Sequence, residues 1–133
     1  MSVGPAKARG DVGDFVGAHC LAEFAGAPAH MLDDEIRLRE MMERILREFG
    51  ATVCDVTSKS FVPQGVTVLA LLSESHASIH TYPERQAAFV DVFTCGGTID
   101  PEAVCRAMAA AVGANIARIT TIARGAAHEN ADR

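Results

Sequence analysis

Residues 33–50, DDEIRLREMMERILREFG, constrain the fold of this chain more than any other stretch, because they describe one apolar face of an α-helix. Leu38, Met41, Met42, Ile45 and Phe49 recur at helical spacing, while Glu and Arg fill most of the positions between them. Glu35 with Arg39, Glu40 with Arg44 and Glu43 with Arg47 are spaced for i,i+4 ion pairs on the outer face, and Gly50 supplies a left-handed stop. A helix with one apolar stripe must lay it on another layer. The rest of the chain therefore has to supply that layer.

What it supplies reads as strands. HCLAEF at 19–24 alternates apolar and polar residues, predicting a strand over about 17–24. ATVCDVTSK at 51–59 predicts a second, and VTVLALLS, after a turn around Pro63 and Gly65, a buried third. ASIHT continues extended beyond Ser75, and AAFVDVFTC follows the turn YPERQ as a strand of β-branched and aromatic residues. Asp100 reads as a helix N-cap with Pro101 in the first turn. Val104, Met108 and Val112 form the stripe of that second helix, which ends at Gly113. NIARITTIA predicts a last strand. This order predicts an α+β two-layer sandwich, an antiparallel sheet with two helices packed on one face. A single domain is expected over 15–125, with 1–14 and 126–133 as flexible tails for want of periodicity.

Composition narrows the partners. A chain of 133 residues suits one hydrophobic core, and 49% hydrophobic with 22% charged residues argues against disorder. The net charge of -5 offers nothing to phosphate backbones or anionic lipid, so neither nucleic acid nor membrane is an expected partner. No apolar run reaches the roughly 20 residues that span a bilayer, and MSVGPAKARGDVGDF lacks the apolar block of a signal peptide. A cytoplasmic protein is expected, with Cys20, Cys54, Cys95 and Cys105 as free thiols. No CxxC pair is present, so no metal is expected, and Cys20, Cys54 and Cys105 read as core thiols.

The chemistry concentrates in 71–97, LLSESHASIHTYPERQAAFVDVFTCGG. If ASIHT is a strand, His76, Ser78 and His80 point to one side and Ser75, Ala77, Ile79 and Thr81 to the other. There is no GxSxG turn, no evident third residue orienting either histidine, and no local thiol-protease signature. From the residues alone, this is a titratable cluster on a strand pair. His76 reads equally well as a packing residue, Glu84 as a solvated turn charge and Phe61 as core.

SESHASIHTYPE at 73–84, with FTCGG at 93–97, resembles the processing and active-site signature of the short prokaryotic S-adenosylmethionine decarboxylase proenzymes. FVPQGVT, GAHCLAEF and IDPEAV fall in that family's order, and the resemblance covers residues 17–125. It implies a chain that cuts itself between Glu74 and Ser75: the Ser75 hydroxyl attacks the Glu74 carbonyl, and β-elimination from the ester leaves a dehydroalanine that hydrolyses to a pyruvoyl group. In that family's pattern His80 matches the processing base, Thr67 the position of a hydroxyl that assists processing, and Cys95 the proton donor. Glu84 matches the acid that holds ribose hydroxyls, and Phe61 an aromatic on adenine. The implied cofactor is thus the pyruvoyl group made from Ser75, an electron sink that makes pyridoxal phosphate unnecessary. The implied partner is a small-molecule amino-acid substrate, and the implied assembly is a homodimer of cleaved units with sites at the interface.

Some positions depart from the family's pattern: Ala25 and Ala27 after the first strand, Ala87, Ala88 and Phe89 after the turn, and Thr67 and Val68 in place of a serine and a glycine. These fall where a substrate pocket is shaped. S-adenosylmethionine is the leading substrate, and the alternative is a basic amino acid, ornithine or arginine, whose distal cation Glu84 would pair. A third reading is an uncleaved homologue that binds or regulates.

Overall fold

The structure, a computed structural model, describes residues 15–125; the expected tails at 1–14 and 126–133 lie outside them. Six strands form one antiparallel sheet: β1 (Gly17–Ala25), β2 (Val53–Ser60), β3 (Val66–Leu72), β4 (Ser75–Tyr82), β5 (Ala87–Cys95) and β6 (Asn115–Arg124), in the order β2-β3-β4-β5-β1-β6. Three helices accompany them: α1 (Ala29–Leu32), α2 (Glu35–Glu48) and α3 (Pro101–Val112). The expected α+β sandwich is therefore present, with one helix more than the two expected. That extra turn, α1, follows Pro28 and buries Leu32, whose carbonyl accepts a 2.6 Å hydrogen bond from Thr81 Oγ1. A single turn carries no periodicity and is invisible to a pattern reading.

Helix ends follow local chemistry. Asp34 caps α2 by accepting from the Arg37 N–H, and Gly50 beyond its end takes a φ of 96°. Asp100 caps α3 by accepting from the N–H groups of Glu102 and Ala103, and Gly113 closes it at φ 76°. The buried stripe of α2 is Leu38, Met41, Met42, Ile45 and Leu46, whereas Phe49 at the C-cap is partly exposed. Glu43 pairs with Arg47 at 2.8 Å as its spacing suggests, but Arg44 pairs with Glu48 instead of Glu40. Arg39 turns away from Glu35: it donates to Ser58 Oγ and the Val56 carbonyl, while Glu35 accepts from the same Ser58 hydroxyl. Those bonds tie α2 to the edge strand β2, and they satisfy groups that a purely helical pairing would leave to water.

The core lies between the helices and one face of the sheet. Val66, Val68, Ala70 and Leu72 of β3, Ala77 and Ile79 of β4, and Ala88, Val90 and Val92 of β5 meet Leu38, Met42, Val104 and Met108 there. Cys20 and Cys105 lie in this core, and burial beside Cys20 pushes the Cys105 thiol far up, so it stays protonated. Cys54 is exposed, which corrects its expected place in the core: it sits on an edge strand where the β2–β3 register shifts between Val53 and Asp55.

Among the described residues, the opposite face carries no helix. Leu21, Leu69, Leu71, Phe89 and Ile122 stand on it partly exposed, Leu71 at 58% and Phe89 at 49%. An apolar surface of this kind on a sheet face marks a binding surface.

Candidate active site

All seven residues singled out for the site lie in or beside β3, β4 and β5, and they divide into two groups. The first group surrounds the junction expected to break. Leu72 of β3 faces Ser75 of β4, so Ser73 and Glu74 form the tight turn between them. Glu74 takes φ 58°, a left-handed conformation uncommon for a residue with a side chain and costing about 1–2 kcal/mol. Cys95, at the end of β5, holds this turn from both sides. Its Sγ donates to the Glu74 carbonyl oxygen at 2.7 Å, and its backbone N–H donates to Ser75 Oγ at 3.2 Å. The carbonyl that would be attacked thus has a donor on its oxygen, and the attacking hydroxyl is held by an independent backbone group.

The second group sits at the other end of β4. Thr67 faces His80 across the β3–β4 pair, and Thr67 Oγ1 lies 3.1 Å from His80 Nδ1. Beside them opens a cleft of about 330 Å³ lined by Phe61, Gln64, Thr67, His80, Tyr82 and Glu84. The expected substrate residues Phe61 and Glu84 therefore share one cavity with the expected base. Gln64 and Tyr82 are additions; Tyr82 packs against Phe89 in a tilted contact with ring centroids 5.1 Å apart.

These groups do not meet within one chain. Five residues of extended strand separate Ser75 from His80, about 16 Å at roughly 3.3 Å per residue. A base cannot take a proton over that distance. The compact motif at 73–84 conceals this separation, because closeness in sequence along a strand is distance in space.

A third group went unnoticed in the sequence. On the helix-free face, His19 Nε2 lies 2.6 Å and His76 Nε2 3.1 Å from Asp91 Oδ2, and Ser78 Oγ donates to Asp91 Oδ1. Phe93 packs against both imidazoles, its ring centroid 5.5 Å from that of His19 and 5.8 Å from that of His76, and the two imidazoles meet edge-on at 5.6 Å. Gly17 makes room for that ring: a Cβ there would come within 2.7 Å of it. The available signal was an aspartate inside the apolar run FVDVF, on the same strand face as Cys95.

Partial burial alone would raise the Asp91 carboxyl, but hydrogen bonds from Ser78, His19 and His76 outweigh it and hold it below the ordinary carboxylate range. A depressed carboxylate contributes stability that is present above its unfolded value, about 4, and is lost as pH falls through the lower folded value. Asp91→Asn is thus expected to narrow the difference in urea midpoint between pH 7 and pH 3, the loss falling at pH 7.

A family model described as S-adenosylmethionine decarboxylase matches residues 18–125. An S-adenosylmethionine decarboxylase proenzyme from Parasynechococcus marenigrum is 50% identical over 90 residues, covering 68% of this chain and 70% of the relative. Another from Prochlorococcus marinus is 46% identical over 99 residues, 74% of this chain and 79% of that one. Among solved structures, the adenosylmethionine decarboxylase from Aquifex aeolicus superposes with a TM-score of 0.68 at 32% identity, covering 84% of this chain and 91% of that chain.

Proposed function

Because the chain belongs to the S-adenosylmethionine decarboxylase family, we propose that it works as a pair of self-cleaved chains decarboxylating S-adenosylmethionine, each site combining the cleavage end of one copy with the substrate cleft of the other. One observation carries this reading: Cys95 clasps the Glu74–Ser75 junction, yet His80 stands about 16 Å from Ser75 along β4, in the cleft it shares with Thr67, Glu84 and Phe61. Two copies packed through their helix-free faces, with their β4 strands running in opposite directions, bring each Ser75 to the partner's His80. A two-fold interface does this twice, giving two identical sites. It also covers Leu21, Leu69, Leu71, Phe89 and Ile122, which otherwise meet water.

Cleavage begins when Ser75 Oγ attacks the Glu74 carbonyl and the amide becomes an ester. The Cys95 thiol donates to the oxygen on which charge develops, and the left-handed Glu74 holds the turn in shape. His80 of the facing copy then removes the Ser75 Cα proton, and the ester leaves as the carboxylate of Glu74. For this His80 needs the tautomer in which Nδ1–H donates to Thr67 Oγ1 and the Nε2 lone pair is free. Hydrolysis of the dehydroalanine releases ammonia and leaves the pyruvoyl group at residue 75.

The residues fit that group, which supplies a ketone that accepts electrons from an α-amino acid as carbon dioxide departs. Cys95, released from the Glu74 oxygen once the turn opens, returns a proton to the substrate Cα, a thiol being able to act as a general acid. The Glu84 carboxylate accepts from the ribose hydroxyls, while Phe61 stacks on adenine beside Gln64 and Tyr82. A reducing cytoplasm keeps Cys95 a thiol.

Cys95→Ala then affects both stages. Loss of the donor on Glu74 O is expected to slow cleavage about 10- to 100-fold, a thiol being a weaker donor than the amides whose loss costs 10²–10³. Any chain that does cleave should turn over poorly. Cleavage at the wild-type rate, followed on denaturing gels after synthesis, removes the first role. The substrate is tested by carbon dioxide release: S-adenosylmethionine is expected to be the preferred substrate by at least 100-fold over ornithine and arginine, since neither fills a cleft built around Phe61. Faster release from a basic amino acid overturns that assignment and leaves the cleavage chemistry standing.

A further inference from the structure

Resting on the two-copy reading above, we propose that Asp55 and Lys59 of the outer strand β2 form the charge pair that sets the orientation of the second copy, each Asp55 meeting the partner's Lys59. The register of the sheet carries the argument. On the helix-free face Lys59 pairs with Thr67, Thr67 with His80 and His80 with Phe89, which makes one row across the strands. Asp55, Leu71, His76 and Phe93 make a second row, and Thr57, Leu69, Ser78 and Asp91 lie between the two.

Bringing Ser75 of one copy to His80 of the other needs a two-fold axis between the sheets, perpendicular to the strands and crossing β4 beside Ser78. Such an axis lays every strand on its own copy in the opposite direction. The middle row then meets itself, and the two outer rows meet each other. Asp55 and Lys59 flank Thr57 on β2, so the operation exchanges them and makes the pair twice. Packed sheets lie about 10 Å apart and are rotated by about 30°, which offsets an outer strand from its copy. The long, flexible stem of a lysine spans that gap.

Among the described residues, the other charges that the strands place on this face are engaged within their own chain. Asp91 is held by Ser78 and two histidines, Glu23 lies 3.9 Å from Arg118, and Arg124 covers the Phe93 ring at 4.9 Å. The Lys59 ammonium has no partner among those residues, and the Asp55 carboxylate accepts only from the adjacent Val56 N–H. The same lysine opposes the competing arrangement. A two-fold axis parallel to the strands would lay β2 on the partner's β6 with each row kept, and the row of Lys59 runs on through Glu23 to Arg118. Two cations would meet there, and Ser75 would lie far from the partner's His80. A pair of charges at the rim adds little affinity; its effect falls on the choice between packings.

Asp55→Lys and Lys59→Asp, both at exposed positions, test this separately, together in one chain, and as a mixture, by sedimentation and native mass spectrometry of the whole protein. Either single change makes both contacts like-charged and should raise the dimer dissociation constant about tenfold at low salt. The chain carrying both changes should return to the wild-type value, because exchanged charges meet again. Mixed with each other, the two single variants should form about four fifths mixed dimers, against one half for random pairing, and the excess should fade at about 1 M salt. Random mixing, or a double variant as weak as the single ones, while the wild-type chain is dimeric, overturns the charge pairing and leaves the two-copy site standing. A wild-type chain that stays single while it cleaves overturns the two-copy reading and this inference with it.

Discussion

Replacing Ser75 by Ala is expected to leave one continuous polypeptide with no decarboxylase activity. The effect should be all or nothing, because the hydroxyl oxygen is both the nucleophile for the Glu74 carbonyl and the atom lost in the elimination; no neighbouring group can substitute for it. The fold should survive. Ser75 begins β4 at the tip of a hairpin, and the substitution removes only the acceptor for the Cys95 N–H, a cost of about 1 kcal/mol. Intact mass and circular dichroism check the two halves of the expectation together: a single unbroken chain, with a wild-type spectrum. A Ser75→Ala protein that still divides at residue 74 contradicts the route to the pyruvoyl group.

His80→Ala is expected to cost as much for a different reason. General-base removal of a proton contributes 10²–10⁴-fold, so cleavage should slow by about that factor. Because His80 acts after the acyl shift, the variant should accumulate the ester between residues 74 and 75. Hydroxylamine at neutral pH cleaves an ester and spares an amide, so it should release residues 75–133 from His80→Ala and nothing from Ser75→Ala. Thr67→Val should reproduce a milder form, since it removes only the partner of Nδ1. Equal resistance of both chains to hydroxylamine would mean that His80 acts before the shift.

Much of the architecture was legible because burial imposes periods on a sequence. The stripe of α2 and the alternation in β1 and β3 declare a sheet covered on one face, and Asp100, Pro101 and Gly113 bracket α3 by capping chemistry that needs no tertiary context. The short helix at Ala29–Leu32 was not legible, because its stability comes from Leu32 in the core and from Thr81, which lies far along the chain. Ion pairing on α2 was legible only in part. The sequence offers Arg39 to Glu35, but a neighbouring strand offers it Ser58 and a carbonyl.

The site followed the same logic. Motif residues marked Ser75, His80, Cys95, Thr67, Glu84 and Phe61, yet a motif has no length scale. That Cys95 reaches Glu74 depends on the β4–β5 register, and that His80 cannot reach Ser75 depends on the rise of a strand. The gathering of His19 and Asp91 with His76 was not legible for the first of these reasons: they lie on three strands, and only hydrogen-bond register brings them together.

The most direct test of the two-copy site is to produce Ser75→Ala and His80→Ala chains together and weigh the products. Neither should cleave alone. In a mixed pair, the His80→Ala chain keeps its own Ser75 and borrows the intact His80 of its neighbour, so about half of the His80→Ala chains should divide into residues 1–74 and 75–133 under random pairing, with all Ser75→Ala chains intact. Two uncleaved chains, in a mixture shown to contain mixed pairs, would contradict the account.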